Sequence, residues 1–290
     1  MLISLDETIQ TDIKIYCQTD REDWAPPLHS HNHYEIQFLL DGEADFDVEG
    51  KHYHIVPGSL VFINRLEKHD ITVTRYPYTR YCLSLKQDYC MKVIQDSQLL
   101  SILFQRPASF VHVLSVEDSW QPRLTAILDE LIAETRANTW YTETTISALI
   151  NLFFVTVFRH KQEYFPLRLR SNMDNVIIEL QRYINLHYRQ PITLDELAER
   201  FYVSKYYLCR HFKEITGYSV KDYILRQRLA HARALLANTN LSIAEVAEKS
   251  GYPNLKQFYR IFSAREEISP AAFRKIQRQL RGSPLPRVEA

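Results

Sequence analysis

Alternating apolar and polar residues between positions 28 and 85 predict β-strands, whereas the three-to-four spacing of apolar residues after position 173 predicts helices. In the strand region Gly42, Gly50 and Gly58 stand eight residues apart, and each falls in a turn-forming pair. The strands predicted around these turns are 43–48, 52–56, 59–63, 71–74 and 80–85. Short strands at this spacing predict a small barrel or jelly roll.

Two amphipathic patterns follow the strands and predict helices at 120–136 and 142–160. The first places Leu124, Leu128 and Leu131 on one stripe, and the second is apolar nearly all round. This apolar surface suits packing against the strands, and it also suits a homodimer interface.

The chain has 290 residues, which is long enough for two domains with separate cores. We place an N-terminal domain at 1–160, a linker at 161–171 and a C-terminal domain at 172–290. The formal net charge is zero, but residues 172–290 hold 19 Lys+Arg against 12 Asp+Glu, and the preceding residues hold 16 against 23. A basic C-terminal half suits a polyanion, and an acidic N-terminal half suits a small ligand or a protein.

Residues 204–213 predict a helix with one apolar face and one basic face. Ser204 is a favourable N-cap, and Leu208 and Phe212 share the side suited to packing because they lie four residues apart. A second capped helix is predicted upstream at 193–198, and a three-residue turn separates the two. This arrangement is typical of a helix-turn-helix DNA reader, with an ordinary helical hairpin as the alternative.

The same pattern occurs twice, which argues against an accident of packing. Residues 193–217 match residues 242–267, with an offset of 49 in the first helix and 50 in the second. One extra residue therefore lies in the second turn, around 251–253. A single long helix is predicted between the copies at 220–237.

This arrangement closely resembles the AraC/XylS family of transcription regulators over about residues 176–275. The residues that carry the resemblance are Ala198, Ser204, Leu208, Arg210, Phe212, Lys213 and Gly217 in the first copy, and Gly251, Tyr252, Phe258, Arg260, Phe262, Ser269, Pro270, Phe273 and Arg274 in the second. Glu267 stands where the family usually has glycine. The resemblance implies that one chain places two recognition helices in successive major grooves, about 34 Å apart.

The family register also implies which side chains meet DNA. The base-facing positions are Tyr206, Cys209 and Arg210 in the first recognition helix, and Leu255, Lys256, Tyr259 and Arg260 in the second. Arginine can bind guanine through two hydrogen bonds, and aromatic or apolar side chains can contact thymine methyl groups. Lys205 and Lys213 are expected to contact phosphates. Arg228, in the connecting helix, is expected to be structural.

A second candidate site lies in the N-terminal half, where His31, His33, Glu35 and Gln37 recur with a period of two. If residues 29–37 form one strand, these side chains share a face. Two interpretations are open. The polar face is solvated and the apolar face of the strand forms the core, or the polar face lines a ligand pocket. The stretch loosely resembles the cupin barrel, which is common in the AraC/XylS family and there binds the effector.

The resemblance favours a pocket for a small polar ligand over a metal site. Val61 stands where the cupin pattern has a metal-binding histidine, although His69 could substitute from the next loop. We therefore expect no metal and no other cofactor. The expected effector-binding residues are His31, His33, Glu35, Gln37, Asn64 and His69, with a stacking ring from Trp24 or Tyr81. His52 and His54 are expected to face solvent.

Together these patterns predict an α+β protein, with a cupin-like β-barrel and helices followed by an all-α domain of two helix-turn-helix motifs joined by a long helix. We expect a sequence-specific DNA-binding activator controlled by a small polar effector such as a sugar. The expected partners are double-stranded DNA, the effector, RNA polymerase and a second copy of the chain. The alternatives are a regulator that needs no effector or answers to a protein partner, and a metal-dependent cupin enzyme fused to a DNA-binding domain.

Cysteine usage and hydropathy add little to this interpretation. Cys17, Cys82, Cys90 and Cys209 are scattered, without the spacing of a zinc site or a disulfide framework. The first residues lack the basic stretch of a secretory signal, and no apolar run is long enough to span a bilayer. We expect a cytoplasmic protein that is not an enzyme and does not contact membranes.

Overall fold

A computed structural model describes residues 11–22, 30–31, 33–65, 67–107, 109–137, 139–165 and 172–282. The chain folds into an N-terminal sheet domain followed by a helical half, which confirms the predicted α+β class. Trp24, one of the two rings predicted for the effector pocket, and residues 166–171 of the predicted linker lie outside the described residues.

Six strands form one antiparallel sheet in the described part of the N-terminal half. They are β1 (Ile13–Asp20), β2 (Tyr34–Val48), β3 (Lys51–Ile55), β4 (Ser59–Ile63), β5 (His69–Leu85) and β6 (Val113–Ser115). Their order is β1-β5-β2-β4-β6, and β3 pairs with the second half of β2. Among these strands β1, β3 and β6 each pair on one side only, so hydrogen bonding does not close the sheet into the predicted barrel.

The two longest strands bend the sheet around an apolar interior. β2 and β5 pair over most of their lengths, with register shifts between Leu39 and Ala44 that mark β-bulges. Bulges bend a strand, and accordingly the first half of β2 pairs with β4 and the second half with β3. The strands predicted at 71–74 and 80–85 are therefore parts of one strand. The interior cluster contains Leu39, Ala44, Phe46, Val48, Ile55, Val61, Ile63, Ile71 and Tyr78.

Helices cover the outer face of the sheet. They are α1 (Gln87–Val93), α2 (Ser97–Phe104), α3 (Gln121–Ala137) and α4 (Thr142–His160), followed by a 3₁₀ turn at Gln162–Tyr164. The two helices predicted from amphipathic patterns, α3 and α4, bury Leu124, Leu131 and Phe153 against Phe38 of the sheet. Fully burying a side chain of this size contributes about 1.5–3 kcal/mol, so most of this apolar surface stabilises the chain's own fold.

Seven helices follow within residues 172–282. They are α5 (Asn172–His187), α6 (Leu194–Arg200), α7 (Lys205–Thr216), α8 (Val220–Asn238), α9 (Ile243–Lys249), α10 (Leu255–Glu266) and α11 (Pro270–Gly282). They form two small cores in series, one around Leu208 and Phe212 and the other around Phe258 and Phe262. Helix α8 contributes its first half to one core and its second half to the other, so it fixes the spacing of the two units.

Helix α5 belongs to both halves of the molecule. Ile178 is buried with the helix-covered face of the sheet, whereas Ile177 and Ile184 lie in the first helical core. The Gln181 side chain also donates to the Phe104 carbonyl at the end of α2, at 3.4 Å. Helix α5 therefore packs against both halves of the molecule.

Candidate DNA interface and effector site

The two helix-turn-helix units begin with the same hydrogen-bonded cap. The Thr193 hydroxyl accepts from the Glu196 amide, and the Glu196 carboxylate accepts from the Thr193 amide, at 3.2 and 2.9 Å. Ser242 and Glu245 repeat this capping box at the start of α9, at 3.2 and 2.7 Å. The second helix of each unit also begins at a polar N-cap residue. The sequence repeat is therefore a repeat of local hydrogen bonding.

Helices α7 and α10 each bury one face and expose the other. Leu208 and Phe212 of α7, and Phe258 and Phe262 of α10, are fully buried. The predicted DNA-contacting residues all lie on the exposed faces: Lys205, Tyr206, Cys209, Arg210 and Lys213 on α7, and Leu255, Lys256, Tyr259 and Arg260 on α10. The structure thus groups these side chains into two solvent-facing patches, one on each unit.

Nearby carboxylates contact two of the α7 cations. Arg210 Nε donates to Glu214 Oε1 at 2.9 Å, one helical turn away, and Lys205 Nζ forms an ion pair with Asp195 of α6. Both pairs are exposed to solvent, which screens them, so each contributes little to stability. DNA can therefore replace these carboxylates at little cost.

The additional residue in the second turn is Pro253. The Val203 amide donates to the Ala198 carbonyl, and the Tyr252 amide donates to the Ala247 carbonyl, both at 3.0 Å. Because these two bonds are equivalent, the two copies keep a sequence offset of 49 as far as Val203 and Tyr252. Pro253 has no counterpart in the first turn, so the offset is 50 from Ser204 and Asn254 onward.

Two arginines of α8 form hydrogen bonds or ion pairs with neighbouring segments. Arg228 donates to the carbonyls of Tyr188 and Gln190, at 2.6 and 2.8 Å, which confirms that it is structural. Arg233 forms a buried ion pair with Glu266 at the end of α10, at 3.2 Å. The Arg228 bonds hold α8 against the segment after α5, and the Arg233 ion pair holds the second recognition helix against α8.

In the sheet domain the predicted polar face is buried. Gln37 Nε2 donates to Glu35 Oε1. His31 Nε2 lies 2.9 Å from Glu35 Oε2, and His33 Nε2 lies 3.9 Å from the same oxygen. His69, at the start of β5, packs edge-on against the His31 ring. These five residues are called the polar cluster below.

Burial and neighbouring charges set the protonation of the polar cluster. Burial raises the pKa of Glu35, but the close contact with His31 and the surrounding imidazoles outweigh it and hold the pKa well below its usual range. Burial lowers the pKa of His33 well below its usual range, and the adjacent His31 adds to this effect. At neutral pH the interior therefore holds an ionised carboxylate beside an uncharged His33.

Tyr81 is not part of the polar cluster, which corrects the prediction that it supplies a stacking ring there. It pairs with Phe38 in the β2–β5 register, so its ring lies on the helix-covered face, where its hydroxyl donates to Asp129 of α3 at 2.5 Å. Asn64 is buried directly after β4, and its backbone amide donates to Glu67 Oε2 at 2.7 Å. His52 and His54 are solvent-exposed, with 84% and 53% of their side chains accessible, as predicted.

Four interior residues of β5 were not identified from the sequence: Tyr78, Arg80, Cys82 and Ser84. The register pairs Glu35 with Ser84 and Gln37 with Cys82, and paired residues share a face of the sheet. Arg80 is buried and donates to Asp20 at 2.6 Å. Their regular alternation along residues 78–84 is the signal that could have identified them.

A buried ion pair stabilises the connection between β4 and β5. Glu67 Oε1 accepts from Arg106 Nε at 3.1 Å and lies 3.4 Å from His112 Nε2. Burial raises the pKa of Glu67, but the Arg106 guanidinium and the His112 hydrogen bond outweigh it and lower the pKa to about 2. This connection is therefore held firmly against the segment after α2, and it ends at His69 of the polar cluster.

The same connection contacts the helical half. Arg65 Nη2 donates to Gln227 of α8, and Lys68 Nζ donates to the Arg265 carbonyl of α10 at 2.9 Å. A cavity of about 180 Å³ lies beside these contacts, between the sheet domain and helices α8 and α10.

Two further contacts join the domains. Glu49, in the turn after β2, forms an ion pair with Arg226 of α8 at 3.1 Å. The Arg106 amide donates to the Ile215 carbonyl of α7 at 2.7 Å, and a Cβ at Gly217 would lie only 2.6 Å from the Arg106 oxygen. Both helix-turn-helix units and the helix between them therefore touch the sheet domain.

Two family models match the regions just described. An AraC-like ligand-binding domain matches residues 12–152, and a helix-turn-helix domain matches residues 197–276. The chain belongs to the AraC/XylS family of transcription regulators. This AraC/XylS regulator combines a ligand-binding domain with a DNA-binding domain, and the proteins it matches are regulators rather than enzymes.

Relatives match this AraC/XylS regulator over most of its length or over a part of it. The HTH-type transcriptional regulator YdiP of Escherichia coli is 24% identical over 89% of this chain and 84% of its own length. The lactose operon transcription activator of Staphylococcus xylosus is 24% identical over 82% of each chain. The xylose operon regulatory protein of Escherichia coli is 32% identical over 38% of this chain and 28% of its own length.

Solved structures share the fold of this AraC/XylS regulator. ToxT from Vibrio cholerae superposes with a TM-score of 0.57 at 12% identity, covering 91% of this chain and 97% of ToxT. The structure of ToxT bound to an unsaturated fatty acid gives a TM-score of 0.53 at 13% identity, covering 91% and 94%. Within the described ranges, no helix of this chain is both long enough and apolar enough to cross a membrane.

Proposed function

We propose that this AraC/XylS regulator is a transcription activator whose binding to promoter DNA is controlled by a small polar effector held at the polar cluster. The observation that carries the proposal is the short connection between β4 and β5. His69, at its end, belongs to the polar cluster, while Arg65 and Lys68 contact α8 and α10. An effector that displaces His69 therefore acts within four residues on the contacts to the DNA-binding half.

For DNA recognition, the proposal assigns base contacts to Tyr206, Cys209, Arg210, Leu255, Lys256, Tyr259 and Arg260, and phosphate contacts to Lys205 and Lys213. The supporting observation is that all nine are exposed on two helices joined through α8. Recognition helices that enter successive major grooves lie roughly 34 Å apart. Because the two patches differ in sequence, the DNA site should be asymmetric, with Arg210 and Arg260 each reading a guanine about one turn apart.

A sugar is the effector class that the chemistry of the cluster suits. An ionised carboxylate, a carboxamide and imidazoles are natural hydrogen-bond partners of sugar hydroxyls. The Gln37 Oε1 atom is buried and, within the described residues, has no hydrogen-bond partner. The relatives include a lactose operon activator and a xylose operon regulator.

The proposal extends to a homodimer, to contact with RNA polymerase and to a cytoplasmic location. The tip of the α3–α4 hairpin supports the homodimer, since Trp140 and Tyr141 leave 92% and 79% of their surface accessible. An activator acts on RNA polymerase, and the chromosome it binds lies in the cytoplasm.

The test starts from DNA, because the operator is not known in advance. Duplexes bound by the pure protein are selected from a random pool, and the dissociation constant of the selected duplex is measured with and without pentoses, hexoses and disaccharides. We expect one common sequence with two unlike halves, and one sugar class that changes the dissociation constant. A selected pool without a common sequence would refute sequence-specific recognition.

A matched pair of variants locates the effector. Glu35→Gln removes the buried charge of the polar cluster, whereas Glu43→Gln changes an exposed carboxylate that pairs with Arg75 on the sheet surface. We expect the sugar response to vanish in the first variant and to persist in the second. A regulator that needs no effector, or that answers to a protein partner, would select a DNA sequence but respond to no sugar.

A further inference from the structure

The polar cluster contains the kind of side-chain set that binds metal ions. We infer that His31, Glu35 and His69 form a site for a divalent transition-metal ion, with Zn²⁺ as the reference ion. One ligand atom of each residue lies within 4.8 Å of the other two, and all three residues are buried. The inference rests on the proposed function, because the same residues are assigned there to the effector.

Backbone hydrogen bonds fix which nitrogen two of the histidines present. His31 Nδ1 lies 3.0 Å from the His33 carbonyl oxygen, and His69 Nδ1 lies 3.1 Å from the Glu67 carbonyl oxygen. A carbonyl oxygen can only accept, so each Nδ1 must carry and donate the hydrogen. In the neutral rings the lone pair is therefore on Nε2. Metal-binding histidines are usually oriented in this way, by a hydrogen bond from the second ring nitrogen.

The carboxylate is oriented in the same manner. Gln37 Nε2 holds Glu35 Oε1, and the other oxygen, Oε2, faces His31 Nε2 at 2.9 Å. A neutral His31 would direct a lone pair at a carboxylate oxygen, which is repulsive. A cation is needed at this contact, and it is either a metal ion or a proton that converts His31 to imidazolium.

The remaining histidines favour the metal ion over the proton. A single proton can lie between only one pair of atoms, those of His31 and Glu35. Two more imidazoles are close to this pair: His33 Nε2 lies 3.9 Å from Glu35 Oε2, and the His69 ring packs against His31 with ring centroids 4.8 Å apart. A buried carboxylate among several imidazoles is costly unless a cation is shared between them. Imidazole and carboxylate together form a ligand set that suits Zn²⁺ and related ions.

The spacing also suits a metal ion. A tetrahedral Zn²⁺ with ligands at about 2.1 Å holds their atoms roughly 3.4 Å apart. His31 Nε2 and Glu35 Oε2, at 2.9 Å, are already near this separation. All three ligand atoms lie within 4.8 Å of one another, so no separation has to shorten by more than about 1.4 Å. Three protein ligands leave a coordination position open. A hydroxyl or carboxylate oxygen of a polar effector can occupy that position.

The decisive experiment is a Zn²⁺ titration of the full-length protein after its metals have been removed with EDTA. We expect calorimetry to show one Zn²⁺ per chain for the wild type and none for His69→Ala or Glu35→Gln. Gln37→Ala, which removes only the orientation of the carboxylate, should weaken binding about 10–100-fold. A wild type that binds no Zn²⁺ overturns the inference and leaves the proton as the cation of the cluster.

The control is His54→Ala. His54 lies on the surface, where its Nδ1 is 2.7 Å from Asp45 and its Nε2 is 3.6 Å from Glu43, so it forms an exposed histidine–carboxylate group. We expect this variant to bind Zn²⁺ as the wild type does. Loss of binding in His54→Ala, with retention in His69→Ala, would place the ion on the surface and overturn the inference.

Two measurements on the wild type do not depend on variants that fold. Zn²⁺ should raise the thermal unfolding midpoint, because an ion that binds only the native state stabilises it. Co²⁺ should show the visible absorption of a four- or five-coordinate ion with nitrogen ligands; a spectrum of hexaaqua Co²⁺ alone contradicts the site.

The titration also separates this inference from the proposed function. If Zn²⁺ does not bind but a sugar still changes DNA affinity, the metal site is refuted and the proposed function stands. If one Zn²⁺ binds but neither Zn²⁺ nor any sugar changes DNA affinity, the metal site stands and control by an effector at this site is refuted.

Discussion

Tyr202 and Gly251 occupy the same position in the turns of the two helix-turn-helix units, and both have a left-handed backbone, with φ of 54° and 84°. Glycine adopts this conformation readily, whereas other residues pay roughly 1 kcal/mol. The Tyr202 side chain is 96% accessible, so packing within the chain does not compensate for the strain. The first turn is therefore less favourable than the second.

Replacing Tyr202 with glycine should stabilise the protein. We expect the free energy of unfolding to rise by about 0.5 kcal/mol, since the greater flexibility of unfolded glycine offsets part of the relieved strain. Urea denaturation measures this change. Gly251→Ala is the control and should destabilise, because its Cβ would lie 2.6 Å from the Arg189 backbone. A lower stability of Tyr202→Gly would show that the exposed ring contributes to folding.

The buried carboxylate of Glu67 should make the fold sensitive to acid. Its pKa falls from 4.5 to about 2 on folding, so its stabilisation is complete above about pH 4.5 and is lost as the pH falls towards 2. A shift of this size corresponds to roughly 3 kcal/mol. We expect Glu67→Gln to lower the free energy of unfolding by about this amount at pH 7, with the gap to the wild type closing below pH 4.5. An equal gap at pH 7 and pH 3 would contradict the assignment, and Glu43→Gln serves as an exposed control.

Arg210 and Lys213 should affect DNA binding in different ways. Arg210→Ala should cost about 1–3 kcal/mol on the selected duplex and relax specificity at one base pair, because it removes a base contact. Lys213→Ala should weaken binding to all duplexes alike and reduce the salt dependence, because it removes a phosphate contact. Fluorescence anisotropy on the selected duplex and its single-base variants distinguishes the two. Unchanged affinity of Arg210→Ala would remove it from the interface.

The ion pair between Glu49 and Arg226 should transmit the effector signal. Glu49→Gln weakens this contact between domains. The sugar response is the ratio of the DNA affinities measured with and without the responding sugar, and we expect the variant to reduce it about two- to fivefold. Glu43→Gln is a matched control, because the two glutamates have similar side-chain accessibility, 31% and 34%, but Glu43 pairs within the sheet domain. An equal effect of both variants would argue against a specific route through α8.

Cys209 should report on DNA binding directly. Cys17 and Cys209 are exposed, whereas Cys82 and Cys90 are buried. We expect N-ethylmaleimide to modify both exposed cysteines in the protein alone, and the selected duplex to slow modification of Cys209 only. Mass spectrometry of the labelled peptides measures this. Equal labelling of Cys209 with and without the duplex would exclude it from the interface, and Cys17 provides the internal control.

The sequence identified the DNA-binding half almost completely, because its signals are local. Helix caps, the four-residue spacing of Leu208 and Phe212 and the repeat at an offset of 49 to 50 depend on residues close together in the chain. The exposed positions of α7 and α10 follow from helical periodicity alone. The period of two along a strand is an equally local signal, and it located Glu35 and Gln37 on one face.

Only the tertiary structure decided what lies around that face. Strand register placed Tyr81 with the helices, and bulges in β2 that the sequence pattern did not reveal shift that register. His69 contacts His31 across a sequence separation of 38 residues, and Arg65 contacts Gln227 across a separation of 162 residues. Such contacts depend on how whole elements pack, which local patterns do not encode. The sequence therefore determined most of the side chains of the two candidate sites, and the packing of the domains determined which contacts lie between them, among them those of the connection from Asn64 to His69.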